Sequence, residues 1–176
     1  VTYINPIRMG DAMINGNSVL AVIPARSGSR RCPGKNFKLY RGKSLIGWAV
    51  DAAKASKYID TVKLPLDADR PPELCTDEAT CEDVLRYHQA QDPHDWIVLL
   101  QPTSPNRTIE DIDACIERAQ LGHGCISTLR GKTNGAVYVA TADWLAEHDF
   151  SHMGLMKYEM PEERSLDINE EADFEQ

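Results

Sequence analysis

Between residues 20 and 36 the chain reads LAVIPARSGSRRCPGKN, an apolar run that ends in a turn holding Gly28, Pro33 and Gly34 with cations on either side. Small residues at a strand end leave backbone N–H groups unblocked, and nearby Arg and Lys side chains add positive charge. That pairing suits phosphate chemistry, above all the tail of a nucleoside triphosphate. The alternative is an ordinary strand-to-helix turn with solvated Arg and Lys. The cationic cluster of Arg26, Arg30, Arg31, Lys35 and Lys38 stands out because the whole chain carries a net charge of −8. A local positive site on an acidic protein fits a small anionic ligand better than a nucleic-acid polymer.

The elements around this turn follow from the patterning. SVLAVIPA (18–25) is predicted as a strand buried on both faces and ended by Pro24. In the 43–57 segment Leu45, Ile46, Ala49, Val50 and Ala53 share one helical face, so a helix follows the turn. TVKLPL (61–66) predicts a short strand limited by Pro65, and residues 67–78 read as loop. A helix is expected over 80–91, with Thr80 as its N-cap and Asp83 as capping-box partner. DWIVLL (95–100) is the second buried strand and runs into QPTSPNRT. Thr108 and Asp111 cap a helix over 108–120. Strands at 125–129 and 135–140 and a short helix at 143–148 complete the pattern.

Such alternation predicts a three-layer α/β/α sandwich, Rossmann-like, with a mostly parallel sheet over residues 18–176, and a flexible leader over 1–17. In such sheets ligands lie beyond the carboxyl ends of the strands, so the turns at 24–36 and 101–107 should face one crevice. With 42% hydrophobic and 26% charged residues the composition is that of an ordinary soluble domain rather than a disordered or fibrous chain. The five cysteines, Cys32, Cys75, Cys81, Cys115 and Cys125, form no C-x-x-C pair, which favours free thiols in a reducing, cytoplasmic compartment. No apolar run is long enough to span a bilayer, no secretion signal is evident, and the histidines show no metal-ligand spacing.

Taken in order, IPARSGSRRCPGKN, RPPELCTDEAT (70–80), LLQPTSPNR, NGAVYVA and SLDINEEADF resemble the cytidylyltransferases that activate acidic nine-carbon sugars, the CMP-sialic, pseudaminic and legionaminic acid synthetases. The resemblance implies a nucleotidyltransferase fold and transfer of CMP from CTP to the anomeric hydroxyl of the sugar, with release of pyrophosphate. It implies CTP and an acidic sugar as ligands, Mg²⁺ as cofactor, no nucleic-acid or membrane partner, and a homodimer as one possible assembly. Carried over residue by residue, Arg26, Lys35 and Asp167 become the catalytic set, with the two cations on the triphosphate. Ser27, Gly28 and Ser29 lend amides and hydroxyls, and Asn36 bonds the nucleotide. Arg70, Ala79 and Cys81 line the cytidine pocket, and Gln101, Thr103 and Ser104 face the sugar. Asp167 with Asn169 holds the metal. Arg30, Arg31 and Lys38 read equally well as solvated turn charges, and Cys81 as a small packing residue.

Three departures from the family pattern bear on mechanism. Asn169 stands where the family has a second aspartate, which lowers the charge drawing Mg²⁺ unless Glu170, Glu171 or Asp173 compensates. Val62 to Arg70 bridges in a few residues what is normally a longer stretch. Only RGKT (130–133) stands where the family places an excursion that contributes to the sugar pocket, leaving Arg130 and Lys132 as local cations for the sugar carboxylate. A shortened variant is the expectation. The alternatives are a non-catalytic nucleotide-binding module, or a cytidylyltransferase for another acceptor such as a 3-deoxy-octulosonic acid.

Overall fold

The apolar run after Ser18 forms a strand in which none of Val19, Leu20, Ala21 and Val22 exposes any surface, and the molecule is layered around it. A computed structural model describes residues 1–4, 15–26, 28 and 32–175. In chain order the regular elements are β1 (Thr2–Ile4), β2 (Val19–Val22), β3 (Leu39–Tyr40), β4 (Lys43–Ser44), α1 (Leu45–Ala55), β5 (Thr61–Lys63) and α2 (Cys81–Gln91). They continue with β6 (Trp96–Leu99), α3 (Ile109–Ala119), β7 (Gly124–Leu129), β8 (Lys132–Thr141), α4 (Ala142–Glu147) and β9 (Met156–Glu159). Of residues 1–17, expected as a leader, Thr2–Ile4 is the antiparallel edge strand against β5.

Seven strands make one sheet in the order β1-β5-β2-β6-β8-β7-β9, with β3 and β4 as a separate ribbon. Strands β2, β5, β6, β7 and β9 run one way, and β1 and β8 oppose them. The sheet is therefore mostly parallel in direction, and helices cover both faces. On one face Ile46, Ala49, Val50 and Ala53 of α1 meet Ile112, Cys115, Ile116 and Ala119 of α3. Val84 and Leu85 of α2 and Leu145 of α4 cover the other. Each such Leu or Ile, fully buried, contributes about 1.5–3 kcal/mol to the driving force. This is the three-layer α/β/α arrangement expected from the sequence.

Helix starts are set locally. Thr80 with Asp83 and Thr108 with Asp111 each form the reciprocal box, hydroxyl to the third backbone N–H and carboxylate back to the cap N–H. Two features tie β8 to its neighbours. A Cβ on Gly124 would lie 2.3 Å from the Val139 carbonyl oxygen, so β7 and β8 approach that closely only with glycine there. At the other end Leu129 pairs with Lys132 across a two-residue turn in which Arg130 and Gly131 adopt φ of 52° and 75°. Both central residues of a hairpin turn of this hand need that left-handed backbone. The place where the resemblance implies an excursion is thus a closed hairpin.

Parallel alignment puts the carboxyl ends of β5, β2 and β6 side by side, with Val22 opposite both Lys63 and Leu99. Because β8 is antiparallel, its early residues arrive at that same end, where Leu99 pairs with Tyr138.

Candidate active site

Above these strand ends lies a cavity of about 510 Å³, within the usual size range of small-ligand sites. Its walls come from separate stretches of chain: Pro24 and Arg26 after β2, Lys35 and Asn36 in the turn, Arg70 to Val84 across the base loop and the start of α2, Gln101 to Thr103 after β6, and Asp167 with Asn169. The two special turns share one crevice, as the topology predicts.

At the cationic end, Arg26 Nη1 donates to Asp77 Oδ1 at 2.7 Å and to the Thr76 carbonyl at 3.1 Å. Lys35 sits on a single helical turn (Lys35–Phe37), and its Nζ donates to the Ile168 carbonyl at 3.1 Å. Asn36 Nδ2 donates to the Arg26 carbonyl at 3.0 Å, which couples the two sides of the turn, and its Oδ1 is buried with no partner among the described residues. Gly34 starts this segment at φ 67°, a left-handed conformation glycine adopts without steric cost. Lys38 is engaged by Glu171, which also accepts from Cys32 Sγ at 3.3 Å, so Glu171 is spent holding the turn.

The base loop is anchored from below. Arg70, 9% exposed, donates to the Pro65 carbonyl at 3.1 Å and the Leu74 carbonyl at 3.4 Å. Ala79 N–H donates to Thr76 Oγ1 at 3.3 Å. Burial pushes the Cys81 thiol above its ordinary pKa, and Gln101 Nε2 lies 3.8 Å from its sulfur. A thiol held protonated is a packing group here, not a nucleophile.

Across the cavity Asp167 Oδ2 accepts from Asn169 Nδ2 at 2.7 Å, while Asp167 Oδ1 is buried without a partner among the described residues. Asp173 accepts from the backbone N–H groups of Asn169 and Glu170 at 2.7 and 2.9 Å and so caps the turn that presents them. The Ile168 N–H donates to the Thr103 carbonyl at 2.8 Å, stitching this segment to the loop after β6. Among the described residues no group of three or more His, Cys, Asp or Glu side chains could hold a metal ion. A cation here would lean on Asp167 Oδ1 and on ligand oxygens, as Mg²⁺ commonly does with substrate phosphates.

Of the residues singled out from the sequence, the cavity brings together Arg26, Lys35, Asn36, Arg70, Ala79, Cys81, Gln101, Thr103, Asp167 and Asn169. It does not bring in Gly28, which is exposed in the turn, nor Ser104. Ser104 is wholly buried behind Gln101, its N–H donating to the Gln101 carbonyl at 3.3 Å and its hydroxyl without a partner among the described residues. Ser27, Ser29, Arg30 and Arg31 lie outside the described residues. Arg130 and Lys132 sit at the β7–β8 hairpin tip, where Arg130 pairs with Glu162 at 2.6 Å, and neither lines the cavity.

Sequence reading missed two arginines. Arg107, 5% exposed, donates to the Gln101 carbonyl at 2.7 Å and to the Ala136 carbonyl at 2.6 Å. Arg164 clasps the fully buried Asp111 through Nε at 2.9 Å and Nη2 at 2.9 Å. The second clasp ties the segment leading to Asp167 onto the start of α3. Only the short step from QPTSP to Arg107 hints at the first in sequence.

A sequence model of the family described as cytidylyltransferase matches residues 20–70, the stretch from β2 to the start of the base loop. An N-acylneuraminate cytidylyltransferase of Streptococcus agalactiae is 27% identical over 211 residues, covering 88% of this chain and 51% of that protein. A CMP-N,N'-diacetyllegionaminic acid synthase of Legionella pneumophila is 37% identical over 120 residues, covering 56% of this chain and 52% of its own. The chain therefore spans about half the length of the curated relatives it matches. The 211 residues of the streptococcal relative exceed this chain's 176, so the relative carries extra residues between shared motifs. Among solved structures, a CMP:2-keto-3-deoxy-manno-octonic acid synthetase complexed with CTP superposes with a TM-score of 0.69 at 16% identity, covering 90% of this chain and 95% of that one. A Mycobacterium tuberculosis protein in complex with manganese gives 0.66 at 15%, covering 90% and 96%. These structures show the nucleotidyltransferase fold. The segment carrying the cationic turn matches the cytidylyltransferase family model, and over most of its length the chain is similar to the N-acylneuraminate cytidylyltransferase of Streptococcus agalactiae.

Proposed function

We propose that the chain transfers CMP from CTP to the anomeric hydroxyl of an acidic sugar of the sialic acid class, releasing pyrophosphate. One observation carries the reading: Arg26 and Lys35, from opposite ends of the glycine-containing turn, face a single cavity that Asp167 also lines. Cations that converge on one crevice, with the Asp167 carboxylate placed to hold a metal beside them, fit a polyphosphate lying there.

In this reading Arg26 and Lys35 take the charge of the triphosphate. Arg26 exchanges Asp77, and Lys35 the Ile168 carbonyl, for phosphate oxygens. Gly28, Ser27 and Ser29 supply amides and hydroxyls from the turn. Asn36 Oδ1 is left to accept from the nucleotide. Arg70, Ala79 and Cys81 shape the cytidine end. Gln101 and Thr103 orient the acceptor so that its hydroxyl attacks in line with the α-phosphorus, and proximity supplies much of the rate. Asp167, assisted by Asn169, holds a divalent cation, Mg²⁺ in the cell, whose charge offsets that of the phosphates. The five cysteines, all free, accord with a reducing cytoplasm.

The test is pyrophosphate release by the full chain supplied with CTP, Mg²⁺ and N-acetylneuraminate. Release should need all three components. Lys35→Ala should slow it by about a hundredfold or more, the usual cost of removing one charge-stabilising donor. Undiminished turnover in that variant would remove the cationic turn from the mechanism.

A further inference from the structure

Apart from Lys35, whose Nζ rests on the Ile168 carbonyl and which is given above to the triphosphate, no cation among the described residues lines the acceptor side of the cavity. Gln101, Pro102 and Thr103 are neutral, and Asp167 is a carboxylate. With Lys35 taken up by the phosphates, an acidic sugar placed there meets neutral groups and a like charge, unless positive charge lies behind the wall. It does. Arg107 donates to the backbone carbonyl of Gln101 itself, and its Nε has no partner among the described residues.

That charge is not cancelled locally. Asp111 is the carboxylate whose field reaches Arg107, and burial works against the guanidinium's charge. Yet Asp111 already accepts from Arg164, from Tyr158 Oη at 3.1 Å, and from Thr108 N–H at 2.9 Å and Oγ1 at 3.1 Å. Arg164, half-exposed and also within the field of exposed Glu110, is the cation that Asp111 offsets, so the buried Arg107 guanidinium keeps its own charge beneath the loop. A buried charge is poorly screened by salt and acts through a low-dielectric wall.

We propose that Arg107 is a positioning and specificity residue: its buried charge, one hydrogen bond behind Gln101, gives the acceptor side its preference for an acidic sugar. The inference rests on reading this cleft as a cytidylyltransferase site. It also explains how the site selects an acid although Arg130 and Lys132 stand away at the hairpin tip.

Calorimetry on the full chain, with and without CTP, compares N-acetylneuraminate with its uncharged methyl ester. The wild type should favour the acid by about tenfold, the scale of one unit charge acting at several ångströms. Arg107→Lys keeps the charge while losing the paired hydrogen bonds, and should hold that ratio within about threefold, whereas Arg107→Gln should bring it near one. CTP affinity should stay unchanged in both variants. A wild type indifferent to the charge, an Arg107→Gln variant that keeps the ratio, or Lys and Gln variants that lose it alike would each overturn the proposal. Should Arg107→Gln fail to fold, raised salt decides on the wild type: a ratio that survives supports the buried charge, and one that collapses points to an exposed cation. Absence of CTP binding would instead count against the cytidylyltransferase reading, and leaves the acid-to-ester ratio measurable.

Discussion

Asn169 is the residue on which metal chemistry turns. Its amide nitrogen donates to Asp167 Oδ2, which fixes the carboxylate and leaves Oδ1 facing inward. Asn169→Asp removes that donor and sets two like charges side by side. Without metal the variant should lose about 1 kcal/mol, the usual worth of one hydrogen bond. With Mg²⁺ it should regain stability, and half-saturate at a metal concentration about tenfold lower because a second carboxylate has been added. Thermal melts across a Mg²⁺ series check both halves, and an unchanged half-saturation point would count against Asp167 as the metal site. Gly135 shows why small residues matter beside this centre. At φ 81°, with a Cβ position 3.2 Å from Gln101 Oε1, it leaves the Gln101 side chain its room. Little of this was legible beforehand. Asp167 and Asn169 stood out by resemblance, but that the one would hold the other could not be read from spacing.

Local devices explain which elements the sequence foretold. The helix starts were visible because a capping box lies within four residues, and the boxes at Thr80 and Thr108 form as expected. Strands β2 and β6 were visible because strands buried on both faces are continuously apolar. β9 was not, since its residues alternate between half-buried and exposed, and its identity depends on pairing with β7 some thirty residues away. Asp111 illustrates the same limit. Its role as a cap was evident, whereas its clasp by Arg164 spans 53 residues of chain. Asp111→Asn should therefore cost more than a lost cap. It weakens the box and leaves Arg164 without its carboxylate, at about 3 kcal/mol. Urea denaturation should show that fall in midpoint. A change within about 0.5 kcal/mol, typical of a surface substitution, would mean that the clasp does not hold the Asp167 segment.

At the scale of the whole molecule, acid should act in two stages. Burial pushes the His88 imidazole down to about 4, with Lys63 and Arg70 adding to the effect. The unfolded chain, with an ordinary imidazole near 6.5, takes up the proton first. Between pH 6.5 and about 4, unfolding therefore binds a proton, and stability falls as pH is lowered, by up to about 3 kcal/mol. Asp83 and Asp95, held below the ordinary carboxylate range by backbone N–H groups of Thr80 and Ser18, add stability at higher pH that is lost only as pH falls through their own lowered values. His88→Leu should flatten the upper stage and leave the lower one in place, as read by unfolding midpoints from pH 7 to pH 3. A persistent upper slope in that variant would place the responsible proton elsewhere.

The two-residue turn between β7 and β8 has an evolutionary corollary. It joins adjacent antiparallel strands at their tips, at the crevice end of the sheet but outside the cavity wall, so chain can be spliced in or trimmed there without re-threading the sheet. Nucleotide capture and the finer shape of the acceptor pocket could then drift at different tempos, the first tied to the barely negotiable strand ends and the second to an appendage. Grafting a relative's longer segment at Arg130 would make that modularity an engineering handle.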